Sequence, residues 1–161
     1  MTEEMFNECV ATLTDGLYRF TVRCVGDGAT AEDIVQESFM RMWQSRHKVR
    51  PGCHKSYLYT IAYRLAIDVI RSRRFSSDVT LDRISSAGED GGYDDTGHIV
   101  LQAVDRLKPE WKSVILLRHW EGYSYDEIAQ IMDITLAQVK IYLFRARTEL
   151  RHIIGSLDNV V

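Results

Sequence analysis

The sequence is poor in residues that could form a disulfide framework or a zinc site. Its three Cys are odd in number, and no two of them form a C-x-x-C pair. Cys53 and His54 are neighbours, but adjacent residues rarely supply two ligands to one metal ion without further Cys or His close by. We therefore predict reduced thiols, no metal site and no cofactor.

Proline, alternating β-branched runs and long apolar stretches are also scarce. Only two Pro occur in 161 residues, and the hydrophobic content of 45% is ordinary for a globular protein. These features favour long helices over sheet, so we predict an all-α fold. No apolar stretch is long enough to span a bilayer, and the acidic start of the chain lacks the basic region of a signal peptide. We expect no membrane insertion and a cytoplasmic location.

The motifs of common enzyme classes are missing too. The chain has no Gly-rich phosphate loop, no paired His ligands and no Ser/His/Asp set with an interpretable spacing. A small helical hydrolase, which an activity screen with added metal would detect, therefore has no support. We predict that the protein is not an enzyme.

The formal net charge of -3 argues, taken alone, against a nucleic-acid-binding protein. The charges are segregated, however. Cations crowd the segment Arg41–Arg74, which holds a single acid, Asp68, whereas acids gather in residues 3–37 and 78–95. This segregation indicates two surfaces, one for phosphates and one for a basic partner.

Two capping boxes bracket a short turn in the C-terminal part of the chain. In the first, the Ser124 hydroxyl can accept a hydrogen bond from the Glu127 backbone while the Glu127 side chain reaches back, which predicts a helix start. Thr135 and Gln138 repeat the arrangement after a brief interruption. Two helices joined so closely are typical of a helix-turn-helix.

The second of these helices has one apolar stripe, formed by Val139, Leu143, Ala146 and Leu150. Its opposite face begins with short residues and continues with cations, which suits a recognition helix whose first turn reads base edges while cations hold phosphates. The predicted DNA contacts are Thr135, Ala137, Gln138, Lys140, Ile141, Arg145 and Arg147. The alternative is a solvated amphipathic helix that ends a small bundle.

The N-terminal part of the chain also has helical periodicity. Apolar spacing predicts one helix from about Thr2 to Cys24, broken near Gly16, and a second helix capped by Thr30. The buried stripe of the second helix would be Val35, Phe39, Met42 and Trp43. Its outward face is acidic and includes Met40, which indicates either an ordinary solvated surface or a binding surface.

A third helix is predicted from about Ser56 to Arg74, after a basic loop with Pro51 and Gly52. Its buried stripe would be Leu58, Ile61, Ala62, Leu65 and Val69. Cations beside Tyr rings suit a single-stranded nucleic acid, because cations follow the backbone while bases stack on rings. The candidate contacts are Tyr57, Tyr63, Arg64, Ile67, Arg71 and Arg74. Each ring could equally be a half-buried edge of the core.

Residues 76–96 are acidic, rich in Ser, Gly and Asp, and without periodicity, so we predict a flexible linker. It would join two small helical domains, 1–75 and 97–161. In the second domain, apolar spacing restores a helix from about Ile99, Pro109 opens the next one, and Gly122 closes it.

From Leu107 to Arg151 the chain resembles the C-terminal domain of bacterial sigma factors of the extracytoplasmic-function group. The family motif runs Leu-x-Pro, an apolar helix, Glu-Gly-x-Ser-x-x-Glu-Ile-Ala, a turn, and Val-Lys-x-x-Leu-x-Arg-Ala-Arg. The matching residues are Leu107, Pro109, Val114–Leu117, Glu121-Gly122, Ser124, Glu127-Ile128-Ala129, Val139-Lys140, Leu143 and Arg145-Ala146-Arg147. The chain departs from the motif with Met132-Asp133 for Leu-Gly in the turn and with Ile141-Tyr142 for Ser-Arg.

Two N-terminal segments resemble the same family. Ala31–Phe39 is similar to the segment that docks on the clamp helices of RNA polymerase. The polymerase contacts that this resemblance implies are Asp33, Gln36, Glu37 and Met40. Tyr57–Arg71 is similar to the helix that engages the minus-10 promoter element and holds a flipped base, with Tyr57 for the family's Trp and Arg64 for its Asn.

The resemblance implies promoter-directed initiation of transcription. The first domain would bind core RNA polymerase and the melted minus-10 strand, and the second would read the minus-35 duplex. An anti-sigma factor, which for this group is often membrane-bound, is a further implied partner. The alternative is a helix-turn-helix regulator that acts without polymerase, which would leave the acidic face at 33–39 and the basic helix at 57–74 unexplained. A polymerase pull-down separates the two functions.

Overall fold

The structure is a computed structural model that describes residues 1–75 and 95–160, of which 95, 96 and 157–160 are described by their backbone alone. Every regular element in the described ranges is a helix, which confirms the all-α prediction. The chain splits into two compact units, one N-terminal and one C-terminal. The predicted acidic linker at 76–96 lies outside the described residues except for its last two, which begin a helix.

The N-terminal unit consists of three long helices that pack pairwise against one another. They are α1 (Glu3–Val25), α2 (Gly28–Gln44) and α3 (His54–Phe75), with a short 3-10 helix (Arg46–Lys48) after α2. The largest fully buried side chains of this unit are Leu17, Phe20, Met42, Leu58 and Tyr59. Each such side chain contributes about 1.5–3 kcal/mol by leaving water, so this core holds the three helices together.

Helix α1 is continuous, so the predicted break near Gly16 is wrong. The Thr14 hydroxyl donates to the Val10 carbonyl oxygen at 2.5 Å, which places this polar residue within the helix. The glycine costs only about 1 kcal/mol in a helix interior. The fully buried Leu17 and Phe20 on its C-terminal side outweigh that cost.

Helix α2 starts earlier than predicted, because Asp27 and not Thr30 is its N-cap. An Asp27 carboxylate oxygen accepts from the Thr30 backbone N–H at 3.1 Å and also from the Thr30 hydroxyl. The hydrogen bonds from Thr30 lower the pKa of the Asp27 carboxyl group, which keeps the cap ionised. Gly26, with φ 76°, ends α1 immediately before this cap.

The C-terminal part of the chain, which we call the C-terminal unit, contains α4 (Asp95–Asp105), α5 (Pro109–Ile115), a π-helical turn (Leu116–Trp120), α6 (Tyr125–Met132) and α7 (Leu136–Val160). Pro109 occupies the first turn of α5, as predicted, where its missing N–H costs nothing. Helix α7 packs against α4 and α5. Val139, Leu143 and Ala146 are buried as predicted, whereas Leu150 is half-buried.

Both predicted capping boxes are present. Glu127 N donates to Ser124 Oγ at 3.2 Å, and Ser124 N donates to Glu127 Oε1 at 2.9 Å. The Thr135 and Gln138 pair repeats this geometry at 3.1 and 2.9 Å. Between the two boxes, Asp133 has a φ of 56°, the left-handed conformation that Asp adopts more readily than most residues other than Gly. The Ile134 N–H then donates to the Ala129 carbonyl at 3.0 Å and completes the turn.

Ser124→Ala should lower the free energy of unfolding of the C-terminal unit by about 1 kcal/mol, because it removes the acceptor for the Glu127 N–H. Denaturation followed by Trp111 and Trp120 fluorescence in a Trp43→Phe background measures this unit. Thr148→Ala is the matched control, since that hydroxyl donates only to a helix carbonyl on an exposed surface. Equal stability of the Ser124 variant and the parent would contradict the capping role.

Candidate nucleic-acid interface

Helix α7 exposes the face that was predicted to contact DNA. The predicted contacts on this face are Thr135, Ala137, Gln138, Lys140, Ile141, Arg145 and Arg147. All of them are exposed except Arg147, which is half-buried. Ala137, Ile141 and Arg145 follow one another at four-residue steps, so their side chains lie on one side of the helix. This side combines small, apolar and cationic groups next to an N-terminus that two capping residues hold in place.

The capping box restricts the hydrogen bonds that the Gln138 side chain can make to a base. Its Oε1 accepts from the Thr135 N–H at 2.9 Å and lies 3.3 Å from the Thr135 hydroxyl. A bidentate contact with adenine needs both the amide oxygen and the amide nitrogen, so Gln138 keeps only its NH₂ donors for a base. If this face contacts DNA as predicted, base reading falls more heavily on Ile141 and Arg145.

Arg147 is anchored from the preceding π-helical turn. Its guanidinium Nη2 lies 3.2 Å from His119 Nε2, and because Arg can only donate, the imidazole accepts as a neutral ring. Burial lowers the pKa of His119, and the charges of Arg147 and Arg118 lower it further. The Arg118 guanidinium also donates to the Tyr123 carbonyl at 3.0 Å and lies over the Tyr125 ring, which ties this turn to the start of α6.

The C-terminal unit should lose stability on acidification through His119. Its folded pKa is lower than its ordinary value near 6.5, so the unfolded chain binds the proton more readily and stability falls as pH drops below about 6.5. Thermal unfolding between about pH 7.5 and pH 5.5 in the Trp43→Phe background measures this loss. His119→Gln, whose amide oxygen accepts without titrating, should lose less. Identical pH profiles for the two proteins would show that the His119 contact does not form in solution.

Fewer of the predicted contact residues lie on the exposed face of α3 than expected. Tyr57, Arg64 and Arg71 recur every seven residues and share a side, with Arg64 and Arg71 exposed and Tyr57 half-buried. Ile67 and Arg74 continue the same stripe, half-buried and exposed respectively. We name the residues Tyr57, Arg64, Ile67, Arg71 and Arg74 the α3 basic stripe.

Tyr63 is not part of this stripe, so the prediction that it faces outward is wrong. Only 8% of the residue is exposed, and it lies in the buried set with Leu58, Tyr59, Ala62 and Ala66. One residue along a helix is a rotation of about 100°, which takes Tyr63 from the side of Arg64 into the core between the helices. Its ring is therefore unavailable for stacking on a base.

The acidic face of α2 borders a groove between α2 and α3 with a volume of about 470 Å³. Asp33 and Glu37 line it from α2, and Asp68 lines it from α3 together with Arg73, whose guanidinium donates to the Val25 carbonyl. Glu37 also pairs with Arg41 at 2.8 Å, whereas Asp33, Gln36 and Met40 are exposed as predicted. We name Asp33, Glu37 and Asp68 the acidic groove.

Asp68 was missed as a member of this surface. Leu65, Asp68, Val69 and Ser72 all line the groove and occur at three- and four-residue steps, the spacing of one helix face. The signal in the sequence was the presence of one acid among many cations. Only the packing of α3 on α2 shows that this acid lines the same groove as Asp33 and Glu37.

Within the described part of the chain, no cluster of three or more His, Cys, Asp or Glu residues is placed to hold a metal ion. The three Cys are free thiols, with Cys9 buried, Cys24 half-buried and Cys53 exposed. Burial, together with the nearby Glu8 carboxylate, raises the pKa of the Cys9 thiol. Its thiolate, the reactive form, is therefore disfavoured.

Comparison with known protein families finds a matching family for each half of the chain. Residues 9–76 match the family described as Sigma-70 region 2, and residues 98–150 match Sigma-70, region 4. The extracytoplasmic-function sigma factor SigL of Mycobacterium tuberculosis is 32% identical over 144 residues, which cover 84% of this chain and 80% of that protein. The chain belongs to the extracytoplasmic-function sigma factors. Its function is promoter recognition and initiation of transcription with RNA polymerase.

Other sigma factors are similar over most of this chain. The extracytoplasmic-function sigma factor SigE of Mycolicibacterium smegmatis is 30% identical over 154 residues, covering 91% of this sigma factor but only 60% of SigE. The sigma factor RpoE of Bartonella quintana, solved in complex with the anti-sigma factor NepR, aligns over 94% of this chain and 98% of its own with a TM-score of 0.81 and 22% identity. That likeness supports the all-helical fold.

No helix in the described ranges of this sigma factor has the length and apolar content needed to cross a membrane.

Proposed function

We propose that the two units divide the work of promoter recognition. Residues 1–75 bind core RNA polymerase and the melted minus-10 strand, residues 97–161 read the minus-35 duplex, and residues 76–96 link them. The observation that carries this division is the separation of surfaces: the acidic groove and the α3 basic stripe lie in one unit, and the exposed face of α7 lies in the other. All of these contacts are non-covalent, and no residue is assigned a catalytic role.

The α7 face contacts the major groove of the minus-35 element in this proposal. An α-helix fits that groove, and the N-terminal residues of a recognition helix meet base edges. Ala137, Gln138 and Ile141 lie in its first two turns, with Arg145 in the next. Lys140 and Arg147 flank them as phosphate contacts, and Thr135 holds the cap.

Arg145→Ala should weaken minus-35 binding by about 1–3 kcal/mol. If Arg145 contacts a base, specificity relaxes at one position, whereas loss of a phosphate contact weakens all sequences alike. Holoenzyme binding to a panel of promoters with single substitutions in the minus-35 element measures both effects. Arg106→Ala removes an exposed cation from the end of α4 and serves as the control. Unchanged affinity of the Arg145 variant across the panel would remove this residue from the interface.

The α3 basic stripe binds the melted minus-10 strand, and the acidic groove, with Gln36 and Met40 beside it, binds core polymerase. Opposite charges support the two assignments, because a phosphate backbone favours the cationic stripe and a basic partner favours the carboxylates. The match of residues 9–76 to Sigma-70 region 2 supports both assignments, since a regulator acting without polymerase would leave the two surfaces unused.

Two further aspects of the proposal follow from family membership. The protein works in the cytoplasm, where polymerase and DNA meet. An anti-sigma factor is a further partner, which holds it inactive. RpoE, a protein of similar fold, was solved in complex with the anti-sigma factor NepR.

The direct test combines the purified protein with core RNA polymerase and a library of genomic DNA fragments. We expect co-purification of the two proteins and run-off transcripts that start downstream of a shared two-part motif. Transcripts that core polymerase alone makes equally well, or absence of co-purification, would contradict the proposed function.

A further inference from the structure

Ile141 is an apolar residue on a face that is otherwise suited to polar contacts with DNA. It is 45% exposed, in the second turn of α7, at the position where the family motif has Ser. Nothing in the folding of the unit requires Ile there, because the buried stripe of the helix is formed by Val139, Leu143 and Ala146. Its branched apolar side chain is therefore available for contact with a partner of the unit.

The neighbours of Ile141 indicate which kind of contact it makes. Gln138, one turn earlier, has its amide oxygen engaged by Thr135, and Arg145 lies one turn later on the same side. Ile141 thus lies in the second turn of α7, between Ala137 and Arg145 on the exposed face and close to the N-terminal end with which a recognition helix meets base edges. An isoleucine offers no hydrogen bond, so it cannot read a donor or acceptor there.

The major groove displays one apolar group among the four bases, the C5 methyl of thymine. We infer that Ile141 is a specificity-determining residue that selects a thymine in the minus-35 element through contact with this methyl group. The inference rests on the proposed function of α7 and adds the base that one residue selects. About 6 Å of helix rise separates Ile141 from Arg145, or roughly two base-pair steps, so the thymine lies close to the base pair that Arg145 contacts.

The experiment uses holoenzyme and a pool of duplex DNA with a randomised upstream segment, prepared once with thymine and once with deoxyuridine. Deoxyuridine forms the same base pair but lacks the C5 methyl group. The sequences that wild type enriches from the thymine pool define the motif. Single thymine-to-deoxyuridine substitutions in one enriched duplex then measure the contribution of each methyl group to affinity.

We expect one thymine in the upstream motif whose replacement by deoxyuridine weakens binding about fourfold, the value of one buried methyl group. Ile141→Ser should bind thymine and deoxyuridine equally at that position, and Ile141→Val should retain the discrimination. Phe144→Ser, which removes an exposed ring from the flank of the same helix, is the control and should also retain it.

The outcomes separate this inference from the proposed function. If wild type enriches an upstream motif but no thymine methyl depends on residue 141, Ile141 does not select the base and the role of α7 stands. If no upstream motif is enriched at all, the proposed role of α7 fails and the inference fails with it.

Discussion

Replacement of Asp33 and Glu37 by Lys should abolish co-purification with core RNA polymerase. Both carboxylates line the acidic groove, and the double reversal leaves Asp68 as the one member of that set still negative. It also turns the Glu37–Arg41 pair, at 2.8 Å, into a pair of like charges. Like charges placed across an interface cost several kcal/mol, enough to lower an affinity by orders of magnitude. Co-purification at moderate salt, with tagged polymerase, measures the effect.

Glu4→Lys with Glu8→Lys is the matched control for this reversal. The two residues are exposed, lie on α1 at the same four-residue spacing, and undergo the same change in net charge. This control should still form holoenzyme, which separates a specific contact from a general charge effect. Asp68→Lys alone should weaken binding if the groove acts as a unit. Holoenzyme assembly by the Asp33 and Glu37 double variant would show that polymerase binds another surface.

Local patterns predicted the helix-turn-helix well because the interactions that form it are short in sequence. Both capping boxes join residues three apart, and the buried stripe of α7 depends on one periodicity. The same locality made the start of α2 ambiguous. Asp27 and Thr30 are both good N-cap residues, and only the structure shows that Asp27 accepts the hydrogen bond while Thr30 donates it.

Features that depend on packing between helices could not be predicted from local sequence patterns. Tyr63 and Arg64 differ by one step of helix rotation, and which of them is buried depends on how α3 sits against α1 and α2. Asp68 joins the acidic groove through the same packing. The contact of His119 with Arg147 joins residues 28 positions apart, a separation at which helical periodicity carries no information.

The combined change Tyr57→Ala and Arg71→Ala should impair promoter melting while the closed complex persists. An unpaired base exposes a face that can stack on a ring, and stacking is worth about 1–3 kcal/mol per base. Arg71 adds the attraction of a cation for the backbone, which salt weakens. About 21 Å of helix rise separates the two residues, so they contact different nucleotides and their losses should add. Permanganate reactivity of unpaired thymines in the holoenzyme complex measures melting, and footprinting of the upstream duplex measures the closed complex.

Tyr57→Phe with Arg71→Lys is the variant that tests the mechanism, because it keeps the ring and the charge while changing the same two residues. If stacking and backbone attraction drive strand opening, this variant should melt the promoter nearly as well as wild type. The two contributions also respond differently to salt: added salt should reduce the defect of Arg71→Ala relative to wild type and leave that of Tyr57→Ala largely unchanged. Normal melting by the double Ala variant would mean that the α3 basic stripe is only a solvated surface and that strand opening depends on residues outside it.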